Sequence, residues 1–311
     1  MPIPGSPLTP ARSRPAERPG RRPPRSARRL LALLVVLAAV AATACVRAPG
    51  DRPVDRLGGA RSFAFAIGGD AESVDTTLLG RYDLVVVDGE GVTPQVVQAL
   101  HAEGALVLAY VSVGTIESYR SWYAAASPYK LELWDDWGEW YADTSKAGFR
   151  DLVTGTVVPP MLAKGVDGLF LDNVDMISEH DAQAPGMYAL VEALATMVHR
   201  DGRILFAQNG EEIVDPLLDV LDGWNREDVT STYDFDTETY QRVPAADARY
   251  ALDALRRVRA AGVFTTATDY TASATSAIST ESTANACSVG ALSFVSNIGL
   301  TRIPATPATC G

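Results

Sequence analysis

The residues best suited to chemistry are Asp172, Asn173 and Asp175, which close the run Gly168-Leu169-Phe170-Leu171. An apolar run of this length fits a strand buried on both faces, and the C-terminal end of such a strand is where a parallel barrel keeps its reactive groups. Asp172 also reads as a turn cap, a common use of Asp, and taken alone the two readings stand level. A second acid, Glu227, ends the run Gly223-Trp224-Asn225-Arg226. Two carboxylates on one rim are the minimum for cleaving a glycosidic bond. One is protonated to release the leaving oxygen; the other is ionised to capture the oxocarbenium-like centre. Asp172 fits the nucleophile and Glu227 the general acid/base.

The elements that must position these acids follow from the chain's alternation. Short runs rich in β-branched residues occur at 63–67, 84–87, 106–113, 168–171, 204–207, 223–227, 262–268 and 291–296. Helix-like segments lie between them at 94–102, 148–164, 187–200, 211–220, 244–261 and 273–287. Eight such runs, with no room for a second core, predict one (β/α)8 barrel; an open doubly wound sheet is the alternative, but its nucleotide fingerprint is missing. The strand ends supply candidate substrate contacts: Asp88, Tyr110, Ser112, Glu117, Asn173, Asp175, Asn209, Asp269 and Tyr270. The longest insertion, 127–144, is expected to be irregular and holds Trp134, Trp137 and Trp140. Trp137 is the candidate for stacking on a sugar ring, while each of these aromatics reads equally well as a small satellite core. Asp135, Asp136 and Glu139 interleave with them and suit a cationic sugar.

The N-terminal part does not read as fold. Residues 1–29 carry eight Arg and a single acid, Glu17, and an apolar run from Leu30 ends in Ala42-Thr43-Ala44-Cys45. This is the basic region, apolar core and small-residue site of an export signal, too short for a comfortable membrane span. A small-residue triplet before Cys predicts lipidation at Cys45, with plain cleavage as the alternative. The expected organisation is signal segment 1–45, linker 46–60 and catalytic domain 61–311. The protein is then exported, and held at the cell surface by the lipid anchor or secreted.

The whole chain of 311 residues has a formal charge of −11, and removing the Arg-rich leader makes the remainder more acidic still. That balance disfavours nucleic acid as a partner and suits a cationic polysaccharide. The two cysteines beyond Cys45, Cys287 and Cys310, are expected to pair in an oxidising compartment. Three scattered His give no zinc spacing, and no phosphate-binding or nucleophile-elbow motif is present, so neither metal nor cofactor is expected. The barrel is expected to act as a monomer.

Four stretches carry a family resemblance: Tyr82–Asp88, Ala109–Arg120, Gly168–Asp175 and Asn225–Glu227. They resemble the endo-α-1,4-polygalactosaminidases, glycoside hydrolase family 114, over roughly residues 62–305. The resemblance implies a (β/α)8 fold, cleavage of α-1,4-linked galactosamine polymers, and acids at Asp172 and Glu227. Two departures stand out: Thr115 where the family often has Glu, and the polar Trp224-Asn225-Arg226 where apolar residues are expected. Two other readings remain open, a barrel that binds surface polysaccharide without cutting it and a glycosidase for another α-linked sugar.

Overall fold

The computed structural model describes residues 53–68 and 74–310. Eight parallel strands form its centre: β1 (Phe63–Ala66), β2 (Leu84–Asp88), β3 (Leu106–Ser112), β7 (Gly168–Asp172), β8 (Ile204–Gln208), β9 (Gly223–Glu227), β12 (Phe264–Tyr270) and β13 (Leu292–Ser296). They are hydrogen-bonded in that order, and β13 returns to lie against β1, so the sheet curls into a nearly closed barrel. All eight sequence-predicted runs are strands of it. Alternate side chains fill the interior. The rings of Phe65, Phe170 and Phe206 follow one another across β1, β7 and β8, with centroids 4.8 and 6.0 Å apart. Gly168 is dictated by the neighbouring strand, since a Cβ there would sit 2.0 Å from the Ile204 carbonyl oxygen.

Helices cover the outside: α1 (Thr76–Leu79), α2 (Pro94–Ala102), α3 (Tyr123–Ala126), α4 (Ala147–Leu152), α5 (Val158–Leu162), α6 (Ala184–Arg200), α7 (Ala245–Ala260) and α8 (Ala277–Ser288). The caps are local: Thr93 accepts from Val96 N–H at the start of α2, and Ser276 accepts from Ser279 N–H at the start of α8. The helix expected over 148–164 is broken by a π-helical stretch, Val153–Val157, between α4 and α5. Pro159 and Pro160 lack the N–H groups an unbroken helix would use there, and the wider turn accommodates them. The helix expected over 211–220 is absent. Only a 3-10 turn, Asp215–Leu217, forms, entered through left-handed Gly210 and containing Pro216.

Three more segments differ from expectation. The 127–144 insertion is ordered: β5 (Lys130–Trp134) and β6 (Glu139–Ala142) form an antiparallel hairpin, extended by β4 (Thr115–Ile116). Its turn needs Gly138, whose φ is +66°. A second hairpin, β10 (Ser231–Asp234) with β11 (Thr239–Arg242), follows β9. Finally, part of the expected linker is folded. Pro53–Gly59 is a 3-10 helix whose Leu57 is buried in the core and whose Arg56 pairs with Asp167. Pro53–Gly59, within the segment expected as linker, thus packs with the barrel, because that helix carries an apolar side chain into the core. At the other end, Cys287 in α8 is bonded to Cys310, with Cα atoms 5.2 Å apart.

Candidate active site

Parallel strands place their C-terminal residues on one rim, and β8 lies between β7 and β9. Asp172, Gln208 and Glu227 end those three strands, so the glutamine sits between the acids. Its Nε2 donates to Asp172 Oδ1 at 2.9 Å and to Glu227 Oε2 at 2.8 Å. Two bonds to one nitrogen keep those carboxylate oxygens within the combined length of about 5.7 Å.

Each acid has further donors. Asp172 accepts from Tyr110 Oη at 2.6 Å and from the Asn173 N–H at 2.8 Å. Glu227 accepts from Asn209 Nδ2 at 3.0 Å and from the Tyr270 hydroxyl. Asn209 also receives the Glu227 N–H on Oδ1, which pins that strand end. Tyr110, Asn209 and Tyr270, expected as substrate contacts, are thus turned onto the two acids.

Burial dominates the protonation of the pair. It pushes Glu227 up to about 8, and the neighbouring Asp172 charge adds to that effect. Asp172 is also raised by burial, but Tyr110, the Asn173 N–H and Gln208 pull it back by bonding its ionised form. Burial holds both tyrosine hydroxyls well above their usual range, so they remain donors.

The acids open onto a cleft of about 480 Å³ whose lining also includes Asp88, Glu117, Asn173, Asp175 and Trp137. A side lobe of about 390 Å³ shares Asn173, Asp175 and Asn209 with it and adds Glu179, Glu211 and Glu212. Burial raises Asp175 to about 7, helped by the Asp172 charge, and raises Glu139 to about 7. It lifts Asp228 to about 6. Asp88 and Glu117 are partly neutralised, since Arg120 donates to Asp88 Oδ2 at 2.5 Å and makes two bonds to Glu117. Trp137, at the turn of the β5–β6 hairpin, meets Phe235 from the other hairpin edge-on at 5.2 Å.

Two expected contacts are not in the cleft. Ser112 is buried, bonded to Thr115, and with it holds the Asn173 amide at 3.0 and 3.1 Å. Asp269 is buried behind the rim, where Oδ1 accepts the N–H groups of Thr230 and Ser231 at 2.7 and 2.8 Å. Alternation along β12 explains this: Tyr270 points into the barrel mouth and Asp269 the other way. Cys45 lies outside the described residues. Gln208 and Arg120 touch the site without having been among the candidate residues. Among the described residues no group of three His, Cys, Asp or Glu could hold a metal ion, and no helix is long and apolar enough to cross a membrane.

Two rim carboxylates at this spacing, shielded by tyrosines at the mouth of a parallel barrel, match the site of a glycoside hydrolase. The family model for glycoside-hydrolase family GH114 matches residues 43–297. The chain belongs to that family. As a GH114 member it is a glycoside hydrolase, and solved structures share its fold. The glycoside hydrolase domain of PelA from Pseudomonas aeruginosa superposes with a TM-score of 0.68 at 23% identity, over 79% of this chain and 98% of that one. Ega3 from Aspergillus fumigatus, in complex with galactosamine, gives a TM-score of 0.60 at 19% identity, over 78% and 92%. A comparison with curated proteins gave no match.

Proposed function

We propose that this GH114 protein is an endo-acting hydrolase of an α-1,4-linked, galactosamine-containing polysaccharide, working by double displacement. The observation that carries this is the amide bridge: two partly buried acids on a single nitrogen, with oxygens no more than about 5.7 Å apart. Retaining glycosidases hold their carboxyls at about 5–5.5 Å, whereas inverting ones need about 6.5–9.5 Å to admit a water between.

In the first step Glu227 gives its proton to the glycosidic oxygen while Asp172 attacks the anomeric carbon, breaking the sugar–oxygen bond and forming a glycosyl ester. In the second, Glu227 takes a proton from water, the water oxygen attacks the anomeric carbon, and Asp172 departs as carboxylate. The raised Glu227 carboxyl supplies the acid near neutral pH. Support for an amine-bearing sugar comes from the acids lining the cleft and its side lobe, Asp175, Glu179 and Glu212, with Glu211 beside them paired to Arg226. The galactosamine in the Ega3 complex points the same way. Trp137, 46% exposed, offers an apolar face for a sugar ring. The basic and apolar leader supports export, with Cys45 as the lipid-bearing residue.

The test is reducing-end release from a de-N-acetylated α-1,4-galactosamine polymer beside its fully N-acetylated form, with the first-formed anomer read by proton NMR. Faster release from the free-amine polymer, with the α-anomer appearing first, is expected. Release from the N-acetylated polymer alone would overturn the substrate, and β-anomer first would overturn the double displacement.

A further inference from the structure

One departure from the family pattern remains to be explained, the polar Asn225 in β9. It is fully buried inside the barrel, two residues before Glu227 on the same face of the strand. Asn225 Nδ2 donates to Gln208 Oε1 at 2.9 Å. Its Oδ1 accepts from the hydroxyls of Thr266 at 2.7 Å and Thr268 at 3.2 Å, both fully buried on β12. The chain has one consistent polarity. With both hydroxyls on Asn225 Oδ1, its nitrogen faces Gln208, which leaves the glutamine nitrogen for the two carboxylates. A reversed glutamine would aim its oxygen at ionised Asp172 and its nitrogen at another amide nitrogen, losing its bonds to Asp172 and Asn225.

We propose that Thr266, Thr268, Asn225 and Gln208 form a positioning relay that fixes one amide nitrogen between Asp172 and Glu227 and so sets the spacing of the pair. The inference rests on the two-acid reading of the site. Gln208 acts on the acids directly; Asn225 acts only through Gln208. The other titratable groups facing the pair are Tyr110, Glu117, Glu139, Asp175, Asp228 and Tyr270, and the test leaves them intact.

The experiment compares wild type with Gln208→Met, Asn225→Leu and the double variant on the free-amine polymer. A lost hydrogen bond to a charged group is expected to cost about 10–100-fold in kcat, with KM changing less than about threefold. The acidic limb of the pH–rate profile should move up by about one unit, because ionised Asp172 loses a donor. The double variant should lose no more than Gln208→Met alone. Additive losses, or lower thermal stability with kcat and the acidic limb unchanged, would overturn the relay. Should Asn225→Leu fail to fold, the isosteric Asn225→Asp serves, since its ionised carboxylate cannot donate to Gln208 and kcat should fall as that group ionises. Titration of the Asp172 and Glu227 carboxyls by carbon-13 NMR runs in parallel. A wild type that cuts no polymer refutes the two-acid reading, and the relay is then decided by whether both titrations shift in Gln208→Met.

Discussion

Asp269 separates a binding role from an anchoring role in one substitution. From its place at a strand end it was expected to contact substrate, yet its carboxylate faces away from the cleft and takes two backbone N–H groups at 2.7 and 2.8 Å. Those groups belong to Thr230 and Ser231, where the chain enters the β10–β11 hairpin that brings Phe235 to Trp137. Asp269→Ala leaves both donors buried without an acceptor, at about 1–3 kcal/mol each, so a loss of about 2–6 kcal/mol is expected. For a domain of this size that lowers Tm by roughly 5–15 °C. Asp269→Asn keeps an oxygen for both N–H groups and should cost under about 1 kcal/mol. The assay is thermal unfolding of all three proteins followed by circular dichroism, with polymer affinity measured below the lowest Tm. A wild-type Tm in Asp269→Ala, combined with weaker polymer binding, would refute the anchoring role.

Two further outcomes concern stability. Glu139, Asp175, Asp228 and Asp269 all titrate above the usual carboxylate range because they are buried, near 7, 7, 6 and 6. The native state therefore binds more protons than the unfolded chain between about pH 4 and 7, so the stabilisation is full below about pH 4 and lost as pH rises through 6 to 8. Melting at pH 5 and pH 8 should show a Tm roughly 5 °C or more lower at the higher pH; a higher Tm at pH 8 would contradict these environments. Cys287 and Cys310 close a loop with a sequence separation of 23, so reduction or Cys287→Ser should cost about 3 kcal/mol. Thiol counting on the unreduced, unfolded protein should find neither cysteine free, and two reactive thiols would exclude the bond.

The barrel was legible because most strands are short apolar runs closed by polar residues, a pattern that buried parallel strands impose on a sequence. Asp172 was legible for the same reason, since it ends such a run, whereas Glu227 ends a polar strand and was read from its place on the shared rim. What strand-end position does not reveal is which face a residue occupies. Asp269 and Tyr270 are adjacent and point opposite ways, so one was misplaced and the other was not. Gln208 carried no signal because an amide at a strand end resembles any turn residue; only the pairing of β8 with both β7 and β9 gives it a role. Asn225 was visible as an anomaly and acquired a reason once Gln208 was seen beside it. The two hairpins were missed because their strands are short, and the contact that joins them, Trp137 with Phe235, pairs residues far apart in the chain. Arg120 falls in a segment without periodicity, and only the fold brings it to Asp88.

The most direct test of the central claim is turnover of the free-amine galactosamine polymer by wild type, Asp172→Asn and Glu227→Gln at equal concentration, with polymer binding measured in parallel. Each amide keeps the shape and most of the hydrogen bonds of its acid, but neither attacks the anomeric carbon nor delivers a proton. The expected result is loss of at least about 10²–10⁴-fold in kcat for both variants, with affinity nearly unchanged. Wild-type turnover in Asp172→Asn, or binding without cleavage by the wild type, would contradict it.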